Sequence, residues 1–240
     1  MKAILLAAGL GTRLRPITDT IPKCLVPING KPLLEYWLDS LERVGITSIL
    51  INLHHHADQV RSFIEQRSDH SNITLVFEHE LLGTAGTVRA NAGFCGQGPT
   101  MVIHADNFCT ANLDRFIKAH EARPATAEMT MMTFTSSVPS QCGVVELDKE
   151  SLVIGFHEKV KNPPTSEANG AVYIFEENVI AYIASLNEEL SDISVDVVPH
   201  FLGKIFAVRS DSVHIDIGTL ENLAEAQLIS HHAKVAPRQM

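Results

Sequence analysis

Cysteine is sparse in this chain of 240 residues: Cys24, Cys95, Cys109 and Cys142 stand far apart, with no CxxC pair. That spacing excludes a paired-cysteine zinc site and a disulfide framework, and it suits a reducing, cytoplasmic setting. Long apolar runs are missing too. Ala3 to Ala8 is too short for a signal peptide, and no later segment reaches the ~18 apolar residues of a membrane span. Positive charge is in the minority, with 19 Lys and Arg against 28 Asp and Glu for a net charge of −9. A nucleic-acid-coating surface needs a basic face, so that class is excluded. Any phosphate site must then be a local basic spot in an acidic protein. Repeats, low-complexity tracts and linkers are absent as well, and "KNPPTSE" (161–167) reads as a loop.

Apolar residues make up 45% and charged residues 20%, an ordinary balance for a soluble protein. The expected organisation is a single domain over 1–240 with two halves that meet near residue 125. In the first half "KAILLAA" is an apolar run closed by glycine, as in a central parallel strand covered on both faces. "PLLEYWLDSLERVG" places Leu34, Trp37, Leu38 and Leu41 on one helical face, opened by Pro32 and closed by Gly45. Strands "SILINL", "ITLVFE" and "TMVIHAD" then alternate with helices through "ADQVRSFIEQ", "GTAGTVRANAG" and "NLDRFIKAHEA". Alternation at that interval marks βαβ units. After about residue 125 the strands "EMTMMTF", "GVVELD", "LVIGFHEK" and "NGAVYIF" follow one another more closely, and helices are expected to be rare until "TLENLAEAQLISHH". The expected fold class is α/β: a Rossmann-like, mixed, mainly parallel sheet flanked by helices, with a partly antiparallel C-terminal half.

"LLAAGLGTRLRP" (5–16) breaks an apolar strand into glycines, a threonine and arginines. Gly9 and Gly11 lie at the carboxyl end of the first strand, where open α/β sheets bind ligands. Glycines let backbone N–H groups approach phosphate oxygens. Thr12 offers a hydroxyl, Arg13 a planar fork and Lys23 a point charge. The spacing is not the dinucleotide fingerprint, because Leu14 stands where its third glycine would be, and it is not a Walker A loop. A polar loop with solvated arginines remains the plain alternative. Asp106 and Asp216 each close an apolar strand, where two carboxylates can converge on one ion; singly, each also suits a turn or cap. His54, His55 and His56 are adjacent and point apart, so they do not chelate one ion, and the same holds for His231 and His232. Cys24 beside Lys23 is either an oxidation-sensitive thiol or an inert small apolar residue.

"LAAGLGTRLRPIT" followed by "PKCLVPINGKPLLEY" closely resembles the signature of the sugar-1-phosphate nucleotidylyltransferases, the NDP-sugar pyrophosphorylases. "LLGTAGTV", "HADN", "GVV", "HEKV", "NGAVYIF" and "HIDIGT" fall in that family's order over nearly the whole chain. The resemblance implies the nucleotide-diphospho-sugar transferase fold and transfer of a nucleoside monophosphate from an NTP to a sugar 1-phosphate, with Mg²⁺ as cofactor. It implies that Arg13 and Lys23 are catalytic and that Leu6, Ala8, Gly9, Gly11, Thr12, Gly83 and Thr84 join them in holding the nucleotide. By the same resemblance Asp106, Gly143, Glu158, Lys159 and Asn169 hold the sugar phosphate, and Asp106 and Asp216 the metal. One departure stands out. The position before the metal aspartate is commonly glycine and is Ala105 here, whose methyl is expected to narrow the floor of the site.

The short "LGTAG" segment, without a thymine-reading glutamine, favours GTP with mannose 1-phosphate or a related sugar. Uridylyl or thymidylyl transfer to a hexose or amino-sugar 1-phosphate is the alternative, and a non-catalytic nucleotide-sugar-binding subunit is the rival from another class. No C-terminal β-helix is expected after the "DIGT" segment. Partners are the two substrates, with no nucleic acid and no membrane, in a monomer or homo-oligomer. Both Arg13 and Lys23 are expected to serve substrate rather than folding.

Overall fold

The computed structural model describes residues 1–68, 70–187 and 191–235, with side chains up to residue 230; His231 and His232 lie outside the described side chains. The first half runs β1 (Lys2–Leu6), β2 (Pro27–Ile28), β3 (Lys31–Pro32), α1 (Leu33–Arg43), β4 (Ile49–Leu53), α2 (Ala57–Glu65), β5 (Ile73–Phe77), α3 (Thr84–Ala90), α4 (Ala92–Cys95), β6 (Thr100–His104), β7 (Asn107–Cys109) and α5 (Leu113–Glu121). The second adds β8 (Met129–Thr135), β9 (Gly143–Leu147), β10 (Val153–Glu158), β11 (Glu167–Phe175), α6 (Glu177–Ser185), β12 (Ile205–Arg209), β13 (His214–Asp216) and α7 (Leu220–Val235).

β1 sits in the middle of the main sheet because its apolar residues are buried on both faces, and it pairs in parallel with β4 and β6. The order is β10-β9-β11-β6-β1-β4-β5, with β8 also paired to β11 and β12 to β8. β4 and β5 continue the parallel part, whereas β11 turns the sheet antiparallel against β6, β8 and β9. This is the mixed sheet that the strand spacing predicts. Two elements depart from that expectation. α6 fills a stretch where helices were expected to be rare; it buries Val179, Ile180 and Ile183, too few apolar positions to display a clear helical period. β12 was not expected at all, and it pairs in parallel with β8.

The sheet divides the core. One face packs Trp37, Leu41, Val60 and Phe116 from α1, α2 and α5, and the other packs Val88, Val179, Ile183 and Ile193. A third cluster joins Leu14, Ile28, Leu33, Phe108, Ile215, Ile217 and Leu223, under α7. It anchors the loop after β1 beside the small β13–β7 ribbon, and so brings distant stretches to one edge. No helix among the described residues is long and apolar enough to cross a membrane.

Candidate active site

The loop after β1 owes its shape to buried neighbours. Ala7 N–H donates to Asn52 Oδ1 at 2.7 Å, and Gly11 turns left-handed at φ 63°. A Cβ at Gly11 would lie 2.8 Å from Thr18 Cγ2 and 3.2 Å from Lys23 Cβ, so only glycine fits. Thr18 Oγ1 donates to the Gly11 carbonyl at 2.8 Å. Leu14 is fully buried in the third cluster, which explains why a large apolar residue replaces the last glycine of a dinucleotide motif. The turn Thr12–Leu14 then aims Arg13 outward. His55 Nε2 and His56 Nε2 meet the carbonyls of Thr18 and Asp19 at 3.2 and 3.1 Å, Gln59 Nε2 donates to that of Thr20, and His54 Nδ1 meets that of Glu78. His55 and His56 therefore brace the loop from β4's end; their rings lie 3.8 Å apart, against the expectation that the run points apart, though each faces its own carbonyl, and His54 holds Glu78 instead.

Lys23 lies in the turn Lys23–Leu25 and is 5% exposed. Its ammonium donates to Asp106 Oδ2 at 2.8 Å and to Asp216 Oδ1 at 2.9 Å, while Arg13 Nη2 reaches Asp216 Oδ2 at 3.1 Å. Burial alone would lower the Lys23 pKa, but the two carboxylates outweigh it and hold it above the ordinary lysine value. Burial pushes Asp106 up, and the Lys23 charge and hydrogen bond bring it below the usual carboxylate range. Both carboxylates thus face one cationic point. Two carboxylates plus phosphate oxygens form the donor set that suits Mg²⁺, so these residues fit a divalent ion.

His104 and His214 each stand two residues before one of these aspartates, and burial lowers both, His214 to about 4. Their rings are neutral, with His104 Nε2 and His214 Nδ1 buried and unpartnered. Ala105 is fully buried among the core residues of the α1 side, so its methyl does not narrow the site floor. Cys24 is buried and its thiol is pushed up to about 12 by burial, which makes it the inert small residue and not a reactive thiol.

A cavity of about 270 Å³ opens beside this cluster, lined by Leu6, Ala8, Gly9, Gly83, Thr84 and His104 among others. It lies across the carboxyl ends of the parallel strands. Thr84 lines it, yet its hydroxyl donates to Asp192 Oδ2 at 3.0 Å and accepts from Ile193 N–H at 2.8 Å, so its side chain docks the 191–194 segment. A shallower depression of about 430 Å³ lies farther out, against Phe77, His79 and Asn91.

The sugar-side candidates gather on the antiparallel half. Gly143 and Glu158 face each other in the β9–β10 register, and a Cβ at Gly143 would lie 2.5 Å from Glu158 Oε2. Lys159 takes a left-handed backbone at φ 50° and pairs with Glu158 at 3.1 Å. Asn169 sits at a register shift in β11 and donates to Tyr173 Oη at 2.6 Å; the Tyr173 ring meets His104 edge-on at 6.2 Å. Tyr173 thereby links these groups to the Asp106 cluster. Asn52, Glu78, Thr87, Tyr173, His104 and His214 had no role expected from the sequence. Only the H-x-D spacing, repeated at 104–106 and 214–216, offered a signal for any of them.

The chain matches the model of the nucleotidyl transferase family over residues 2–232, and it belongs to that family. It is 32% identical over 243 residues to a UTP–glucose-1-phosphate uridylyltransferase of Synechocystis, covering 94% of this chain and 62% of that protein. It is 32% identical over 228 residues to a mannose-1-phosphate guanylyltransferase of Mycobacterium tuberculosis, covering 92% and 62% respectively. Among solved structures, HddC from Yersinia pseudotuberculosis complexed with GMP-PN superposes with a TM-score of 0.79 at 25% identity, covering 95% of this chain and 99% of that one. The chain therefore spans less than two thirds of the length of either curated relative.

Proposed function

We propose that this protein transfers a nucleoside monophosphate from an NTP to a sugar 1-phosphate, releasing pyrophosphate. The observation that carries the reading is the meeting of Lys23, Arg13, Asp106 and Asp216, from three separate stretches, beside a cavity at the strand ends. A phosphate oxygen of the sugar 1-phosphate attacks the α-phosphorus in line. The α–β anhydride P–O bond breaks, and its electron pair leaves on the β-phosphate oxygen. Two polyanions must be brought together, so positioning and charge neutralisation supply most of the acceleration.

In this reading Lys23 stands between the α-phosphate and its attacker, and Arg13 grips the triphosphate and steadies the leaving pyrophosphate. Asp106 and Asp216 would hold Mg²⁺, which when bound would neutralise phosphate charge. Gly9, Gly11 and Thr12 present the loop to the nucleotide, with Leu6, Ala8, Gly83 and Thr84 walling its base. Gly143, Glu158 and Asn169 take the sugar, and Lys159 its phosphate. Residues 1–125 thus serve the nucleotide and 126–240 the sugar phosphate, in one domain.

GTP with mannose 1-phosphate or a related sugar is the proposed pair, supported by the small residues Gly83 to Gly86 and by the mycobacterial relative. Uridylyl transfer is the second reading, favoured by the cyanobacterial relative. Four free thiols, three of them buried, support work in the reducing cytoplasm. A pyrophosphate-release matrix of four NTPs against a panel of sugar 1-phosphates with Mg²⁺ tests the reading. Release with one nucleotide and one sugar class is expected; no release with any pair overturns it.

A further inference from the structure

Adjacent side chains at a strand end normally point to opposite sides. His56, however, takes a left-handed backbone at φ 52°, and its ring lies 3.8 Å from that of His55, centroid to centroid. That conformation is uncommon for a residue other than glycine, and it persists where the surroundings hold it. A carbonyl oxygen only accepts, so the Nε2 atoms of His55 and His56 both carry hydrogen and donate to the oxygens of Thr18 and Asp19 at 3.2 and 3.1 Å. Gln59 Nε2, from the first turn of α2, donates to the next carbonyl, that of Thr20, at 2.8 Å. Three donors of one segment thus take three successive carbonyls of another, 37 to 39 residues away in sequence.

Thr18 passes this grip on to the loop after β1. It is 1% exposed, its hydroxyl donates to the Gly11 carbonyl at 2.8 Å, and its methyl fills the space that a side chain at Gly11 would need. Gly11 stands two residues before Arg13, and on the far side Arg15 pairs with Asp19 at 3.1 Å. The loop's course is therefore set on both sides of Arg13. His55, His56 and Gln59 are not among the residues that line the cavity.

We infer that His55, His56 and Gln59 are positioning residues for the triphosphate, a comb of donors that holds the loop from Gly11 to Thr20 in shape before the nucleotide arrives. The inference rests on the nucleotidyl-transfer reading and adds a layer behind its loop. A loop held in advance has little ordering left to do on binding, whereas a freed one gives up backbone entropy each time it closes on phosphate. The effect falls on NTP affinity and leaves the sugar 1-phosphate side unmoved.

The test sets His55→Asn against His55→Gln. The two carboxamides share their chemistry, but only glutamine carries a nitrogen to about the place of the imidazole Nε2. The probes are equilibrium binding of GTP and of UTP with Mg²⁺, and amide hydrogen exchange across residues 11–20 without nucleotide. In His55→Asn, affinity for the nucleotide that binds should fall about tenfold, the loss of one hydrogen bond, and loop exchange should speed up. In His55→Gln, both should stay within about threefold of the wild type, and Gln59→Ala should weaken affinity by about threefold. Equal losses in the asparagine and glutamine variants overturn the inference, as does faster exchange with unchanged NTP affinity, which would make the comb merely structural. If His55→Asn does not fold, Gln59→Ala on the exposed face of α2 decides, and unchanged affinity and exchange there overturn the comb. Nucleotide binding that follows this pattern without pyrophosphate release for any sugar 1-phosphate leaves the comb standing and removes the transfer reading. Pyrophosphate release without the difference between asparagine and glutamine does the reverse.

Discussion

Lys23 and Lys159 carry the same ammonium group, but the Lys23 side chain is 6% exposed between two carboxylates from distant strands, whereas that of Lys159 is 67% exposed beside its sequence neighbour. The first is fixed before any substrate arrives, and reorganisation is what a preorganised charge avoids. The second is free to adapt. On the nucleotide side the loop is braced by Thr18, the histidine run and a buried leucine; on the sugar side the shape depends on a left-handed residue and a register shift. Rate should therefore be concentrated in the first region and the choice of sugar in the second.

The largest test of that contrast is Lys23→Ala against Arg13→Ala. Each should cut turnover by about 10²- to 10³-fold, the usual range for one charge-stabilising donor. Their stabilities should differ. The expectation that both serve substrate rather than folding suits Arg13, whose side chain is 68% exposed, better than it suits buried Lys23. Removing buried Lys23 leaves Asp106 and Asp216 without their shared cation, and with both carboxylates partly solvated the cost is about 2 kcal/mol. Thermal melts beside pyrophosphate release decide it; near-normal turnover in either folded variant would sink the catalytic assignment.

Metal removal sharpens the same contrast. Because Lys23 already bridges Asp106 and Asp216, excess chelator should stop turnover while the melting curve stays in place. Loss of folding with chelator would make the ion structural, and activity in excess chelator would exclude the paired-aspartate reading.

What was legible in the sequence follows the same division. The strand, the glycines, Arg13 and Lys23 are contiguous, so a local motif sufficed, and Asp106 and Asp216 each ended an apolar run. Nothing local marks Glu78: it reads as a charge at a strand end, and its burial depends on Asn52 and Thr87, 26 and 9 residues away. Glu158 and Lys159 are neighbours in sequence, and only the β9–β10 register puts Gly143 opposite Glu158. α6 escaped because its buried residues are few. Residues inside a motif were visible, including those on paired strands, whereas a residue such as Glu78, whose surroundings only the fold assembles, was not.

On the sugar side Lys159→Ala should raise KM for the sugar 1-phosphate about 10-fold, the loss of one charge-assisted bond, with kcat changed by less than about threefold. Equal falls in kcat and kcat/KM would instead place Lys159 in the rate-setting group and erase the contrast with Lys23.

The smallest effect concerns the seam between the two regions. His120 in α5 shares a 2.8 Å hydrogen bond with Thr130 Oγ1 of β8, and its Nε2 lies 3.0 Å from Glu176 Oε1. Burial first, and Arg123 second, lower its pKa to about 4, so the ring is neutral and the Glu176 contact is a hydrogen bond and not an ion pair. A lowered pKa in the fold means that the unfolded chain takes up the proton first as pH falls. Its contribution is complete above the ordinary histidine value of 6.5 and is lost as pH drops toward about 4. His214 has the same sign. Denaturant melts at pH 7, 6 and 5 should show stability falling, with His120 accounting for about 2 kcal/mol at pH 5. His120→Gln should start lower at pH 7 because the packing changes, yet decline less steeply, since the amide takes up no proton. Parallel declines in the two proteins would mean that His120 does not titrate in this window, and that the seam is held by Arg123 and Glu176 alone.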